Sequence, residues 1–165
     1  MEGSNLVARA EPTEAGDEAF KENQRLALVC DDDPEHQALV KTALQELGFK
    51  VHIASSSPDA IERMRKNSYE VIVLDEEFQG ATAHDNPVLQ TIQSMMMASR
   101  RYIFVALVGK QFKTLDNMMA FAKSVNVVVN SNDLPQIKGV LRQGMSDNEA
   151  FYRVFCEVLR EAGKR

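Results

Sequence analysis

The sequence predicts an α/β domain in which five parallel strands form a doubly wound sheet with helices on both faces. Two observations support this fold class. From Leu26 onward, short apolar runs alternate with segments of helical period, which is the pattern of repeated strand–helix units. The apolar runs are rich in β-branched residues and are continuous rather than alternating, as expected for strands that are buried on both faces.

Five apolar runs are predicted to be the strands. Each one is bounded by polar, charged or turn-forming residues. In chain order they are LALVC at 26–30, VHIA at 51–54, VIVLD at 71–75, YIFVALV at 102–108 and VNVVV at 125–129. Each interval between them has room for a helix, so that all five strands can run parallel.

Capping signals predict where the intervening helices begin and end. Asp33, Ser57 and Asn86 each precede a proline, the arrangement of an N-cap residue followed by proline in the first turn. Gly48 is predicted to end the first of these helices. The third helix carries its apolar spacing as far as the triplet Met95–Met97, which is interpreted as core packing rather than as an adaptable binding surface.

The end of the chain predicts two further helices. One covers about 134–143, and the next begins at 146 with the capping box formed by Ser146 and Glu149. The last helix is amphipathic, and two alternatives remain open for its apolar stripe: packing on the body of the domain, or contact with a second copy or a partner protein. The stripe consists of Phe151, Val154, Phe155, Val158 and Leu159.

The composition suits one globular domain, with 165 residues of which 44% are hydrophobic. We predict a flexible acidic leader over 1–24, a folded domain over 25–145 and the amphipathic helix over 146–165. The leader holds six acids and two bases, and therefore −4 of the net charge of −5. The remaining chain is almost neutral, whereas a nucleic-acid-binding protein needs a basic patch, so no nucleic acid is expected as a partner.

Neither a membrane nor a metal-binding cysteine cluster is indicated. No apolar run approaches the roughly 20 residues of a membrane span, and no signal peptide begins the chain, so a cytoplasmic location is expected. Cys30 and Cys156 are interpreted as reduced, apolar residues, because they are far apart and form no CxxC pair. His36, His52 and His84 have no ligand spacing with one another or with the cysteines, so a zinc site is not expected.

Carboxylates gather at the ends of two predicted strands. Asp31 and Asp32 follow the first strand, and Asp75 ends the third. Ligands of a doubly wound sheet bind outside the carboxyl ends of its strands. If the first and third strands are neighbours, the three carboxylates meet there and form a plausible Mg²⁺ site, because that ion prefers oxygen ligands.

On these residues, the chain from about 26 to 145 resembles the receiver domain of two-component response regulators. The acidic pair in LALVCDDDPEHQ and the aspartate in YEVIVLDEEFQG carry the resemblance. It implies a flavodoxin-like sheet of strand order 2-1-3-4-5 and a phosphorylated aspartate at Asp75. It also implies an Mg²⁺ site formed by Asp31, Asp32, Asp75 and the backbone carbonyl of Glu77.

The sequence departs from the receiver pattern at the positions that handle the phosphoryl group. Val108 replaces the Thr or Ser at the end of the fourth strand, and a hydrogen bond to a charged group, worth roughly 1.5–3 kcal/mol, is lost with the hydroxyl. Asn130 and Ser131 replace the Lys and Pro after the fifth strand. Val127 falls near the position of the aromatic residue that reports phosphorylation in the family. Because a phosphoryl group brings roughly −1.5 to −2 charge into an acidic site, weak or absent phosphorylation is predicted.

Smaller departures lie in the surrounding loops. Phe78 and Gln79 replace the family's Met-Pro pair, and Ala83 stands near the position of a later Gly. Lys110, which follows the fourth strand, is a candidate to replace the missing lysine. Asp31 and Asp32 also have a simpler interpretation, as anions favoured at the N-terminus of a helix.

Enzymatic functions fit less well. The first strand–helix turn, CDDDPE, is acidic where a nucleotide-binding loop needs glycines and free amides, and no G-x-S-x-G motif is present. A phosphohydrolase with an aspartate nucleophile is the second alternative. The sequence therefore predicts a non-enzymatic, stand-alone atypical receiver in phosphorelay-type signalling. Its expected partner is a histidine kinase or a downstream effector, and a homodimer is also considered. The main alternative is a single-domain response regulator phosphorylated on Asp75 with Mg²⁺.

Overall fold

A computed structural model, which describes residues 24–82 and 84–163, shows a five-stranded parallel sheet in the order β2-β1-β3-β4-β5. The predicted fold class and strand order are confirmed. β4 and β5 each begin two residues later than predicted. At β4 the cause is that Ile103 belongs to the turn after the preceding helix and donates its N–H to the Arg100 carbonyl. The strands are β1 Leu26–Cys30, β2 Lys50–Ile53, β3 Val71–Asp75, β4 Phe104–Gly109 and β5 Val127–Asn130.

Six α-helices lie between and after the strands of the described chain. The predicted caps are present at two of them: the side chain of Asp33 accepts from Glu35 N, and that of Asn86 from Val88 N and Leu89 N. The second helix is capped by Ser56 instead of Ser57, one residue earlier than predicted. The helices are α1 Pro34–Glu46, α2 Ser57–Lys66, α3 Pro87–Gln93, α4 Met97–Arg100, α5 Asn117–Lys123 and α6 Ile137–Glu161.

The sheet separates two apolar layers. Alternate side chains of each central strand point to opposite faces, so Leu28 joins one layer and Val29 the other. Helices α2, α3 and α5 cover the first layer, and α1 and the first half of α6 cover the second. Both faces of β1, β3 and β4 are therefore buried, which explains why these strands are continuous apolar runs in the sequence.

The methionine triplet does not continue the core, contrary to the prediction. Helix α3 ends at Gln93, and Met96 has extended dihedral angles and precedes α4. The side chains of Met96 and Met97 are 78% and 60% exposed. The helical period that suggested burial is thus broken by the turn between the two helices.

The two helices predicted at the end of the chain are one continuous helix, α6. Ser146 lies inside it, so the predicted cap at this residue is wrong; a cap is needed only where a helix begins. A helix of 25 residues is about 37 Å long, and only its first half packs on the sheet, through Ile137 and Leu141.

Two further predictions concern residues at or beyond the edges of the described ranges. The acidic leader, 1–24, lies outside the described residues except for Gln24, and Ala83 also lies outside them. The division into leader, domain and final helix stays a prediction. Within the described ranges, no helix has the length and hydropathy that crossing a membrane requires.

A matched pair of glycines in α6 tests how this helix packs. Alanine normally stabilises a helix interior by roughly 0.5–1 kcal/mol relative to glycine. A Cβ at Gly139 meets nothing within 4 Å, whereas a Cβ at Gly144 lies 2.8 Å from Cζ of the buried Phe104 ring. We expect Gly139→Ala to raise the free energy of unfolding and Gly144→Ala to lower it, as measured by urea denaturation. Equal effects of the two substitutions would contradict this packing.

Candidate functional site

The pairing of β1 with β3 places two carboxylates at one edge of the sheet. The strands are parallel neighbours with Cys30 opposite Leu74, so Asp31 and Asp75 occupy adjacent positions at the carboxyl ends. This is the arrangement expected at the ligand-binding edge of a doubly wound sheet. The sequence prediction that the acidic groups of strands one and three converge is correct for this pair.

Asp31 is almost completely buried, with 5% exposure. One carboxylate oxygen accepts from Asp33 N at 2.9 Å, and the other lies 3.2 Å from Nδ1 of His36. Its backbone carbonyl accepts from Nε2 of Gln37 at 2.6 Å. Burial raises the pKa of the Asp31 carboxyl, and the hydrogen bond from Asp33 and the neighbouring His36 partly oppose that rise.

Asp32 is directed to a different partner. Its two carboxylate oxygens accept from N and Nε2 of Gln79, both at 2.7 Å. Gln79 has φ 58° and ψ 36°, in the left-handed region. A proline, which the receiver pattern has here, is held near φ −65° and lacks an N–H, so it could make neither the turn nor the backbone bond. The departure at Gln79 therefore accounts for the position of Asp32.

Asp75 ends β3 in a half-buried position. Its side chain accepts from Glu77 N at 2.7 Å. Burial raises the pKa of the Asp75 carboxyl to about 6, and the neighbouring Asp31 and Glu77 carboxylates add to the rise. Nδ2 of the buried Asn86 donates to the carbonyls of Asp75 and Glu76 at 3.2 and 3.0 Å, which ties the start of α3 to the end of β3.

His36 is the site residue that the sequence argument missed. Ligand atoms of Asp31, His36 and Asp75 all lie within 4.8 Å of one another. Spacings among the histidines and cysteines do not indicate this position, because the neighbours of His36 are aspartates. The useful signal was the position of His36 in the first turn of α1, which starts directly after the acidic pair.

The remaining predicted metal ligand, Glu77, makes other contacts. Its carbonyl accepts from Gly80 N at 3.0 Å, and its side chain pairs with Nζ of Lys110 at 3.5 Å. The other nearby ammonium, on Lys123, pairs with Glu76 at 3.6 Å. Among the described residues, no lysine or arginine forms an ion pair with Asp31 or Asp75. The two carboxylates are thus left without a fixed cation.

The replaced receiver positions lie where the sequence placed them. Val108 is opposite Asp75 in the β3–β4 ladder and is fully buried, with no hydroxyl to offer. Asn130 ends β5, but its Nδ2 donates to the carbonyls of Lys110 and Phe112 at 3.3 and 2.7 Å. It thereby holds the loop after β4. Val127 is buried in β5, and Ser131 begins the 3-10 stretch that follows it.

The predicted interaction stripe is exposed on the outer side of α6. Phe151 is 76% exposed, and Leu159, the last of the predicted residues, is half-buried. The guanidinium of Arg101 lies 4.9 Å from the centre of the Phe155 ring. We call the exposed part the outer stripe; it consists of Phe151, Val154, Phe155 and Val158.

Comparisons with known proteins identify the class. The family described as the response regulator receiver domain matches residues 27–82, a stretch that contains Asp31, Asp32 and Asp75. Residues 27–82 are therefore similar to the response regulator receiver domain, and the resemblance predicted from the sequence is confirmed. A comparison with curated proteins gives no match.

Solved structures of low sequence identity share the fold. The chemotaxis response regulator CheY4 of Vibrio cholerae has a TM-score of 0.59 and 16% identity, over 73% of this chain and 98% of that one. The receiver domain of the sensor histidine kinase PA1611 from Pseudomonas aeruginosa has a TM-score of 0.57 and 13% identity, over 74% of this chain and 98% of that one. Its structure has a magnesium ion coordinated in the active site cleft. NtrX from Brucella abortus, solved in complex with ADP, has a TM-score of 0.62 and 13% identity, over 86% of this chain and 30% of that one.

The raised pKa of Asp75 makes stability depend on pH. A carboxyl whose pKa is higher in the folded than in the unfolded chain binds its proton more tightly when folded. The free energy of unfolding therefore rises as the pH falls through 6 towards 4. We expect Asp75→Asn to stabilise the metal-free protein by about 1–2 kcal/mol at pH 8, allowing for solvent screening, and to have almost no effect at pH 4.

Asp59→Asn is the control of opposite sign, measured by urea unfolding in the presence of a chelator. Hydrogen bonds from Ser55 N and from Arg63 hold the pKa of Asp59 below its usual value, so its replacement should destabilise the protein at pH 8. An effect of Asp75→Asn that is the same at both pH values would contradict the assignment.

Proposed function

We propose that this protein is an atypical receiver domain that signals through protein contacts, without catalysing a reaction, and in which Asp75 is phosphorylated weakly or not at all. The observation that supports this proposal most directly is the use made of Asn130. The residue at the lysine position of the receiver pattern has no positive charge, and its side-chain amide is directed to two backbone carbonyls. Together with the apolar Val108, it leaves the phosphoryl position without its two side-chain donors.

Charge leads to the same conclusion. A phosphoryl group on Asp75 would add roughly −1.5 to −2 charge beside the buried carboxylate of Asp31. Phosphoryl transfer depends mainly on positioned positive charge. The two nearby lysines, Lys110 and Lys123, are paired with Glu77 and Glu76. Their charge is therefore shared with other carboxylates before any phosphoryl group arrives.

A second candidate function is that of a response regulator phosphorylated on Asp75 with Mg²⁺. It is favoured by the adjacent positions of Asp31 and Asp75, whose oxygens suit a hard divalent ion. These two residues would hold the ion. When bound, its positive charge would offset the negative charge of the phosphoryl oxygens. Asp32 would first have to leave its two hydrogen bonds with Gln79.

Restoring the two missing donors should restore phosphorylation. We expect little adduct on the wild-type protein after incubation with acetyl phosphate and Mg²⁺, as seen by intact mass. The double variant Val108→Thr/Asn130→Lys should form the adduct at least tenfold faster, because each bond to a charged group is worth roughly 1.5–3 kcal/mol. Adding Asp75→Asn to the double variant should abolish the adduct.

Val105→Thr is the matched control, because it places a hydroxyl on the same buried strand away from its carboxyl end. It should leave the rate unchanged, and circular dichroism should show that each variant is folded. Rapid, Asp75-dependent labelling of the wild type would overturn the proposal and establish the second candidate.

For the contact surface, we propose that the outer stripe of α6 binds a second copy of this chain. Its four side chains occupy positions i, i+3, i+4 and i+7 and form one face of the helix. In an antiparallel pair of helices centred between residues 154 and 155, Phe151 lies opposite Val158 and Val154 opposite Phe155, so the apolar groups of the two copies meet along the contact. Because the stripe is small, we expect a weak dimer with a dissociation constant in the micromolar range.

Sedimentation equilibrium tests this dimer. Phe151→Ser should weaken self-association at least tenfold, because aromatic anchors dominate such interfaces. Phe121→Ser, which changes an equally exposed aromatic residue on α5, should have no effect. A wild-type protein that stays monomeric at high micromolar concentration would contradict the proposal.

A further inference from the structure

The cluster of Asp31, His36 and Asp75 differs from the ligand set that the receiver resemblance implies. Each of the three offers one ligand atom, and these atoms lie within 4.8 Å of one another. Asp32, which the resemblance assigns to the metal, is held by Gln79 on both oxygens. An imidazole nitrogen thus stands where a third carboxylate oxygen was expected.

The orientation of His36 suits a metal ligand. Its Nδ1 faces the Asp31 carboxylate at 3.2 Å, and its Nε2 lies 3.7 Å from Oδ2 of Asp33. The second oxygen of Asp33, Oδ1, accepts from Glu35 N, which holds this carboxylate at the start of α1. A carboxylate next to the distal nitrogen of a ligating histidine is the usual outer partner in metal sites, where it orients the ring.

The charge at this point also favours a cation. Asp31 is buried and Asp75 half-buried, and within the described ranges neither is paired with a lysine or an arginine. Separating two neighbouring carboxylates from water without a cation is unfavourable. A divalent ion between them would offset both charges.

The nitrogen ligand decides the class of ion. Mg²⁺ is bound by oxygens and keeps much of its water, whereas imidazole suits the later first-row metals such as Zn²⁺, Co²⁺ and Fe²⁺. We propose that Asp31, His36 and Asp75 form a binding site for a divalent transition-metal ion, with Nδ1 of His36 as a ligand and water at the remaining positions. The site should therefore prefer Co²⁺ or Zn²⁺ to Mg²⁺. This inference is independent of the proposed function, because it concerns the unphosphorylated protein.

The test uses the full, untagged chain after removal of metals with a chelator. Co²⁺ is titrated in, with visible absorption and calorimetry as readouts, and Mg²⁺ then competes for the site. We expect one equivalent of Co²⁺ to bind at least tenfold more tightly than Mg²⁺. His36→Gln should weaken Co²⁺ binding at least tenfold with little effect on Mg²⁺, and Asp75→Asn should weaken both.

Two control variants separate this site from incidental binding. His84→Gln removes an exposed histidine outside the cluster, and Asp32→Asn removes the carboxylate that Gln79 holds. Neither should change Co²⁺ affinity by more than about twofold, since neither supplies a ligand. Co²⁺ affinity that is unchanged in a folded His36→Gln protein, or equal affinities for Co²⁺ and Mg²⁺, would overturn the proposal. Neither outcome would affect the acetyl phosphate experiment, which is carried out in Mg²⁺ and has a different readout.

Discussion

The parallel pairing of β1 with β3 is the interaction on which the rest of this structure depends. Four residue pairs, from Ala27 opposite Val71 to Cys30 opposite Leu74, set its register, and all eight side chains are buried. A slip of one residue would exchange the two faces of a strand and move each apolar group into the wrong layer. The same register brings Asp31 and Asp75 out of the sheet side by side. The acidic site is therefore a consequence of how the core packs.

Side-chain amides, rather than cations, organise the loops at this edge. Gln79 binds the carboxylate of Asp32, Asn86 joins α3 to the end of β3, and Asn130 holds the loop after β4. An amide can satisfy polar groups as both donor and acceptor without adding charge. The loops are thus ordered by neutral groups, which supports the proposals of weak phosphorylation and of a metal-ion site.

The sequence predicts what depends on local periodicity and misses what depends on the neighbours in space. β1 and β3 were predicted to the residue because runs buried on both faces carry a strong apolar signal. Ser146 was misplaced as a cap because the box motif does not tell whether a helix already runs through it. Met96 was assigned to the core because its spacing continued that of α3 beyond the true end of the helix. At the site, the position of Asp75 could be predicted because it is the last residue of a strong apolar strand. The roles of His36 and Gln79 depend on contacts across α1 and the turn after β3, which no spacing encodes.

The hydrogen bonds of the loop between β4 and α5 support the proposal that this protein signals by docking rather than by switching. Asn130 donates to the carbonyls of Lys110 and Phe112, and its own N–H donates to Oγ1 of Thr114, which in turn donates to Asp133. All these bonds form without a phosphoryl group. An input changes a conformational equilibrium only if it interacts differently with the two states. Since β4 ends without a hydroxyl and β5 without a lysine, a phosphoryl group on Asp75 would have no side-chain donor through which to favour another loop position. The loop is thus held by hydrogen bonds that involve no phosphoryl group, which supports the proposal of signalling by contact.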